Sequence, residues 1–210
     1  MNEENKAIKR VNLYTLGDSD VGKTCFILRY CKNSFQNNYL PTVGIDFMAK
    51  NSKLPNGEEI KVCFYDTAGQ EKYRAISLNL IKTADAILLM YSITNNETFK
   101  SISNWINSIK EVKGSDFPII LIANKCDLEE ERKIQKEEGE NLAESNGFQF
   151  FEVSNKTGSN VDEAVNYLVS KVIEKKNDQE SERSYKSQKS HNTMKLDKNS
   201  HKAEKNNCTC

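Results

Sequence analysis

Short runs of consecutive apolar residues alternate along the chain with stretches whose apolar positions recur at helical spacing. Val11 to Gly17 reads as a short buried strand, followed by a helical segment from about Gly22 to Lys32. Gly44 to Leu54 and Glu59 to Asp66 read as two strands joined at Pro55-Asn56-Gly57, where the Asn-Gly pair is a hairpin signal. The order then runs strand Ala86–Ile93, helix Glu97–Lys113, strand Pro118–Ala123, helix Gln135–Asn146, strand Gln149–Val153 and helix Val161–Lys176. Thr94-Asn95-Asn96-Glu97 and Ser159-Asn160 supply helix-start signals. Apolar strands separated by amphipathic helices predict an α/β fold, with a mostly parallel sheet covered by helices on both faces. The hairpin makes one of the six strands antiparallel. Ligands of such sheets bind beyond the carboxyl ends of the strands. The chemistry is therefore expected in the loops that begin near Gly17, Asp66, Asn124 and Ser154.

After about Lys176 the pattern stops. Residues 177–210 are rich in Ser, Asn, Lys and Glu and nearly free of apolar side chains, so they are expected to form a disordered tail. That division explains a hydrophobic content of 37% beside a charged content of 29%. Thirty basic and thirty acidic residues give a formal net charge of zero, which argues against bulk electrostatic binding to nucleic acid. The two histidines, His191 and His201, both fall in the tail, so a folded-domain site built on histidine is excluded. The longest apolar runs fall far short of the ~20 residues of a membrane span, and MNEENKAIKR has no secretory character. Cys25, Cys31, Cys63 and Cys126 lack CxxC spacing and read as buried free thiols of an intracellular chain.

Three loops carry candidate chemistry. Gly17-Asp18-Ser19-Asp20-Val21-Gly22-Lys23-Thr24 matches G-x-x-x-x-G-K-[ST] between a strand and a helix. Glycines let such a backbone curl and present N–H groups to phosphate oxygens; Lys23 would neutralise the β- and γ-phosphates and the Thr24 hydroxyl would ligate Mg²⁺. Asp66, ending a strand in Asp66-Thr67-Ala68-Gly69, suits a second carboxylate near Mg²⁺, with Gly69 able to offer its N–H to a γ-phosphate and Gln70 next to it. Asn124-Lys125-Cys126-Asp127 closes another strand. A carboxylate there can accept from both N1–H and N2–H₂ of guanine, and adenine presents the opposite pattern. Each loop alone could be a plain turn.

Together they resemble the Ras superfamily of small GTPases, and within it the Rab family, over about residues 8–175. The five elements GDSDVGKT (17–24), Thr42 in PTVGIDF, DTAGQE (66–71), NKCD (124–127) and Ser154-Asn155-Lys156 occur in order. The resemblance implies a three-layer P-loop NTPase G domain at 8–176 that binds GTP and GDP with Mg²⁺. Its nucleotide contacts would come from Gly17 to Cys25, Phe35 (stacked on guanine), Tyr39, Thr42, Gly69, Asn124, Lys125 (over the base plane), Asp127 and Ser154 to Lys156. Thr24, Thr42 and Asp66 would hold the metal, while Gln70, Lys23 and Thr42 would carry hydrolysis. Exchange factor, GTPase-activating protein, effectors, GDP-dissociation inhibitor and escort protein are the implied partners, with the chain monomeric and no nucleic acid bound. Its implied place is the cytoplasmic face of an endomembrane, where it would direct vesicle traffic and cycle with the cytosol.

Some positions depart from the family pattern. Tyr65 stands where Trp is usual in an aromatic triad with Phe47 and Tyr73; Asn79 to Ala84 and Ser92 also differ, and Asn155 replaces Ala. Asp20 replaces a small residue. A carboxylate ~6 Å from a phosphate oxygen would cost roughly 2–3 kcal/mol at an effective dielectric near 20, which predicts fast nucleotide release unless Asp20 points to solvent. Asn207 rules out a C-a-a-X signal, but Cys208 and Cys210 resemble the C-x-C ending of doubly geranylgeranylated Rabs. Two chains suit the physics, because one binds a bilayer only marginally. No arginine finger is evident in cis, so unaided hydrolysis should be slow. The alternative is a nucleotide-bound scaffold with little turnover.

Overall fold

The computed structural model describes residues 8–35, 45–54, 57–67 and 81–181. Strands β1 (Lys9–Leu16), β2 (Ile45–Lys53), β3 (Glu59–Thr67), β4 (Ala86–Ser92), β5 (Ile119–Asn124) and β6 (Gln149–Val153) form one sheet in the order β2-β3-β1-β4-β5-β6. Every pairing is parallel except β2 with β3. Lys53 lies opposite Glu59, and Leu54 and Gly57 close the hairpin through Leu54 N–H to Glu58 C=O (2.9 Å) and Gly57 N–H to Leu54 C=O (2.8 Å). The expected α/β class, six strands and single antiparallel strand are all present.

Every residue of β4 and β5 is buried, as continuous apolar runs demand of central parallel strands. One face packs Leu16, Ile87, Leu89, Tyr91 and Leu121 against Trp105, Ile106 and Ile109. Alternation sends Phe151 of β6 to the other face, where its ring meets Tyr167 edge-on at 5.7 Å. The helices are α1 (Lys23–Lys32), α2 (Asn96–Lys100), α3 (Ile102–Lys113), α4 (Lys136–Asn146) and α5 (161–181). Asn95 caps α2 by accepting from the Glu97 N–H (3.0 Å), and α4 begins with a capping box between Gln135 and Glu138.

Three expectations need correction. The single helix expected over Glu97–Lys113 is divided at Ser101 into Asn96–Lys100 and Ile102–Lys113, although Ser101 keeps helical dihedrals (φ −67°, ψ −20°) and the Glu97 carbonyl accepts from both its N–H and its hydroxyl (each 3.0 Å). Helical backbone continues to 181 rather than ending at Lys176; Lys, Gln and Glu favour a helix without burial, and the Ser181 hydroxyl donates to the Asn177 carbonyl (2.9 Å). The four thiols are free, but only Cys63 is buried, the other three being half-exposed. The chain divides into two compact units, residues 1–172 and 173–210, of which the second is described only in its helical stretch 173–181.

Candidate functional site

β1 is the point at which strand order reverses, with β3 on one side and β4 on the other. Its carboxyl end is level with those of its neighbours: Thr15 pairs with Asp66, Ser92 with Asn124, and Asn124 with Val153. The sheet thus delivers the phosphate-loop motif, Asp66, Asn124-Lys125-Cys126-Asp127 and Ser154-Asn155-Lys156 to one edge.

Between β1 and α1 the backbone curls through positive φ at Gly17 (137°), Asp20 (61°) and Gly22 (95°). Gly22 precedes α1 without a side-chain cap, which leaves the first N–H groups of the helix for an anion. Lys23 is buried, and its Nζ donates to the carbonyls of Gly17 (2.9 Å) and Asp18 (2.7 Å), which holds the ammonium over the loop. Burial, opposed by Asp66, Asp18 and Asp20, lowers its pKa to about 8. Burial likewise raises that of the Cys25 thiol. The Thr24 hydroxyl donates to Asp66 Oδ2 at 2.5 Å, while Oδ1 accepts from Thr15 (3.3 Å). A hydroxyl and a buried carboxylate converging beside a lysine form the oxygen donor set that a hard divalent cation takes. Thr24 and Asp66 therefore fit Mg²⁺.

On the base side, Asn124 Nδ2 donates to the Val21 carbonyl (2.7 Å), joining two loops 103 residues apart. The Ser154 hydroxyl donates to Asp127 Oδ1 (2.6 Å) and accepts from the Thr157 N–H (3.1 Å). That fixes the Asp127 carboxylate beside the Ser154 loop. Phe35 is half-buried just after α1, and Lys156 is exposed. Ser19 is exposed and Val21 fully buried. Tyr39, Thr42, Gly69, Gln70, Tyr73, Cys208 and Cys210 lie outside the described residues.

Asp20 takes the second of the two orientations open to it. Its side chain is 93% exposed and pairs with Lys125 Nζ at 3.1 Å. The repulsion that would speed nucleotide release required the carboxylate to face the phosphates, and this geometry does not support it. An exposed pair is worth only ~0–1 kcal/mol.

Two residues that sequence reasoning missed hold the site. Trp105 Nε1 of α3 donates to Asp18 Oδ1 (2.9 Å), turning that carboxylate toward α3. Arg29 of α1 donates through Nε to the Asn155 carbonyl and through a second nitrogen to the Lys156 carbonyl, both at 2.7 Å. Only the helical phase of Arg29, about one and a half turns along α1 from the motif, could have hinted at this.

Fold and phosphate loop define a P-loop nucleotide-binding domain. The family model described as "Ras family" matches residues 12–174. Ras-related protein Rab-13 of Canis lupus familiaris is 42% identical over 174 residues, covering 83% of this chain and 85% of that protein. Ras-related protein Rab-8B of Homo sapiens is 41% identical over 165 residues (79% of each chain), and Ras-related protein Rab-8 of Diplobatis ommata is 40% identical over 172 residues (82% and 81%). The chain belongs to the Ras family, in its Rab branch. It is a small GTPase, a GTP-binding switch of membrane traffic that hydrolyses GTP to GDP.

Proposed function

We propose that residues 8–176 form the switch and that 177–210 form its membrane tail. The contact between the Thr24 hydroxyl and the Asp66 carboxylate, beside buried Lys23, carries this reading. Thr24, Asp66 and Thr42 hold Mg²⁺, which when bound neutralises charge on the β- and γ-phosphate oxygens. Lys23 draws the same oxygens into the loop, and Gln70 orients the attacking water in line with the leaving oxygen. Phe35 and Lys125 enclose the guanine while Asp127 reads its N1 and N2 donors; Ser154 to Lys156 meet the O6 edge, and Tyr39 lies beside the nucleotide. Thr42 and the Gly69 N–H hold the γ-phosphate, so both flanking segments relax when it leaves. Single-turnover hydrolysis of GTP by the purified chain is expected to be slow, and at least tenfold slower in Gln70→Ala. Equal rates in the two proteins, or no hydrolysis by the wild type, would defeat this assignment.

Two geranylgeranyl groups on Cys208 and Cys210 anchor the chain to the cytoplasmic face of an endomembrane, from which it cycles to the cytosol. An escort protein presents the chain for lipidation and a GDP-dissociation inhibitor extracts it. An exchange factor, an activating protein and effectors act at the nucleotide end, with the chain a monomer. Phe47, half exposed, and Tyr65, 5.3 Å from it and stacked on Tyr14 at 4.4 Å, support an aromatic effector surface. A tagged chain with both cysteines changed to serine is expected in the soluble fraction. Membrane recovery equal to wild type would remove the lipid assignment.

A further inference from the structure

Asn155 joins the two halves of the pocket through its side chain. It is buried, and its Nδ2 donates to the Gly22 carbonyl at 2.9 Å across 133 residues. The preceding carbonyl, that of Val21, takes the amide of Asn124. Two successive carbonyls of the phosphate loop are thus drawn to side-chain amides, that of Gly22 while it also accepts the first helical bond of α1 from the Phe26 N–H (2.9 Å). Because each trans peptide unit is planar, turning these carbonyls outward points the N–H groups of Gly22 and Lys23 the opposite way. The approach is close: a Cβ on Gly22 would lie 2.4 Å from Asn124 Nδ2 and 2.8 Å from Asn155 Nδ2.

Asn155 is itself well anchored. Its N–H donates to Asn124 Oδ1 (3.4 Å) and its carbonyl receives Arg29. Its Oδ1 is buried without a hydrogen-bond partner among the described residues, so the bond to the Gly22 carbonyl is the one polar contact that the side chain makes with them. An alanine there has no group that could make it.

We propose that Asn155 is a positioning residue that holds the phosphate loop in its phosphate-binding shape, sharing with Asn124 the work of retaining nucleotide. This rests on the guanine-nucleotide reading of the pocket. The test is release of fluorescent GDP and fluorescent IDP from the full chain in Mg²⁺, chased with excess unlabelled nucleotide. Loss of one neutral hydrogen bond predicts release about three- to tenfold faster in Asn155→Ala. GDP and IDP, which differ only at the base, should speed up by the same factor, because the phosphate loop is what loosens. Asn155→Asp keeps the side chain's size but sets an acceptor against the Gly22 carbonyl, so it should release at least as fast as Asn155→Ala.

Release by both variants within twofold of wild type would overturn the proposal. So would acceleration confined to GDP, which would tie Asn155 to the N2 amino group, the one group that IDP lacks, and not to the phosphate loop. If Asn155→Ala fails to fold, the comparison of Asn155→Asp with wild type decides by the same two criteria. A wild type that retains neither nucleotide would refute the reading beneath the proposal instead.

Discussion

Asparagine in place of Asp127 is expected to weaken GDP binding by about 10³- to 10⁴-fold while raising the affinity for XDP. A carboxylate accepts from both N1–H and N2–H₂ of guanine, whereas the amide that replaces it offers one acceptor and one donor. The donor then faces the guanine amino group, so both partners lose a hydrogen bond in a desolvated pocket. Xanthine carries an oxygen where guanine carries that amino group, so the same amide suits it. The scaffold should survive the change, since an amide oxygen can still accept from the Ser154 hydroxyl that now lies 2.6 Å from Asp127 Oδ1. Competition of GDP and XDP against a fluorescent nucleotide reads the switch directly. GDP affinity of Asp127→Asn within tenfold of wild type would show that Asp127 does not read the base.

Much of this site can be read along the chain because its parts are local. The phosphate-loop motif, the apolar runs of β4 and β5, the Asn-Gly pair and the capping signal at Asn95 each depend on residues within a few positions of one another. The contacts that join the parts do not. Trp105 reaches Asp18 across 87 residues and Arg29 reaches Asn155 across 126, and both depend on the register of strands that no single segment specifies. The direction of Asp20 was equally hidden. It follows from a left-handed backbone at φ 61°, which turns the carboxylate to solvent and to Lys125. The division of the helix at Ser101 leaves the local backbone helical, a change too small for hydrophobic periodicity to register.

Gly17→Ala should cost the fold more than any other single methyl group added at a described glycine. Gly17 has φ 137°, where an L side chain is strained, and an added Cβ would stand 2.2 Å from the Met90 carbonyl oxygen and 3.1 Å from the Met90 carbonyl carbon. Neither obstacle can swing aside. Met90 belongs to the backbone of β4, all seven of whose residues are buried, and β4 pairs with β1 up to Leu16 opposite Leu89. Relief therefore requires prising β1 from β4 at the end where the phosphate loop begins. Overpacking of this kind costs roughly 1–3 kcal/mol and the strained φ about 1 kcal/mol more, a large part of the ~5–15 kcal/mol that holds a domain together. At ~2–4 °C per kcal/mol for a chain of this size, the melting temperature should fall by about 4–16 °C, or the protein should be recovered only as aggregate. Gly57→Ala is the matched control: φ is 83°, but nothing lies within 4 Å of the added carbon, so only the backbone strain of ~1 kcal/mol applies. Thermal unfolding of both variants at the same saturating GDP separates clash from strain. Equal, small losses in the two would mean that β1 and β4 can part at this edge without consequence.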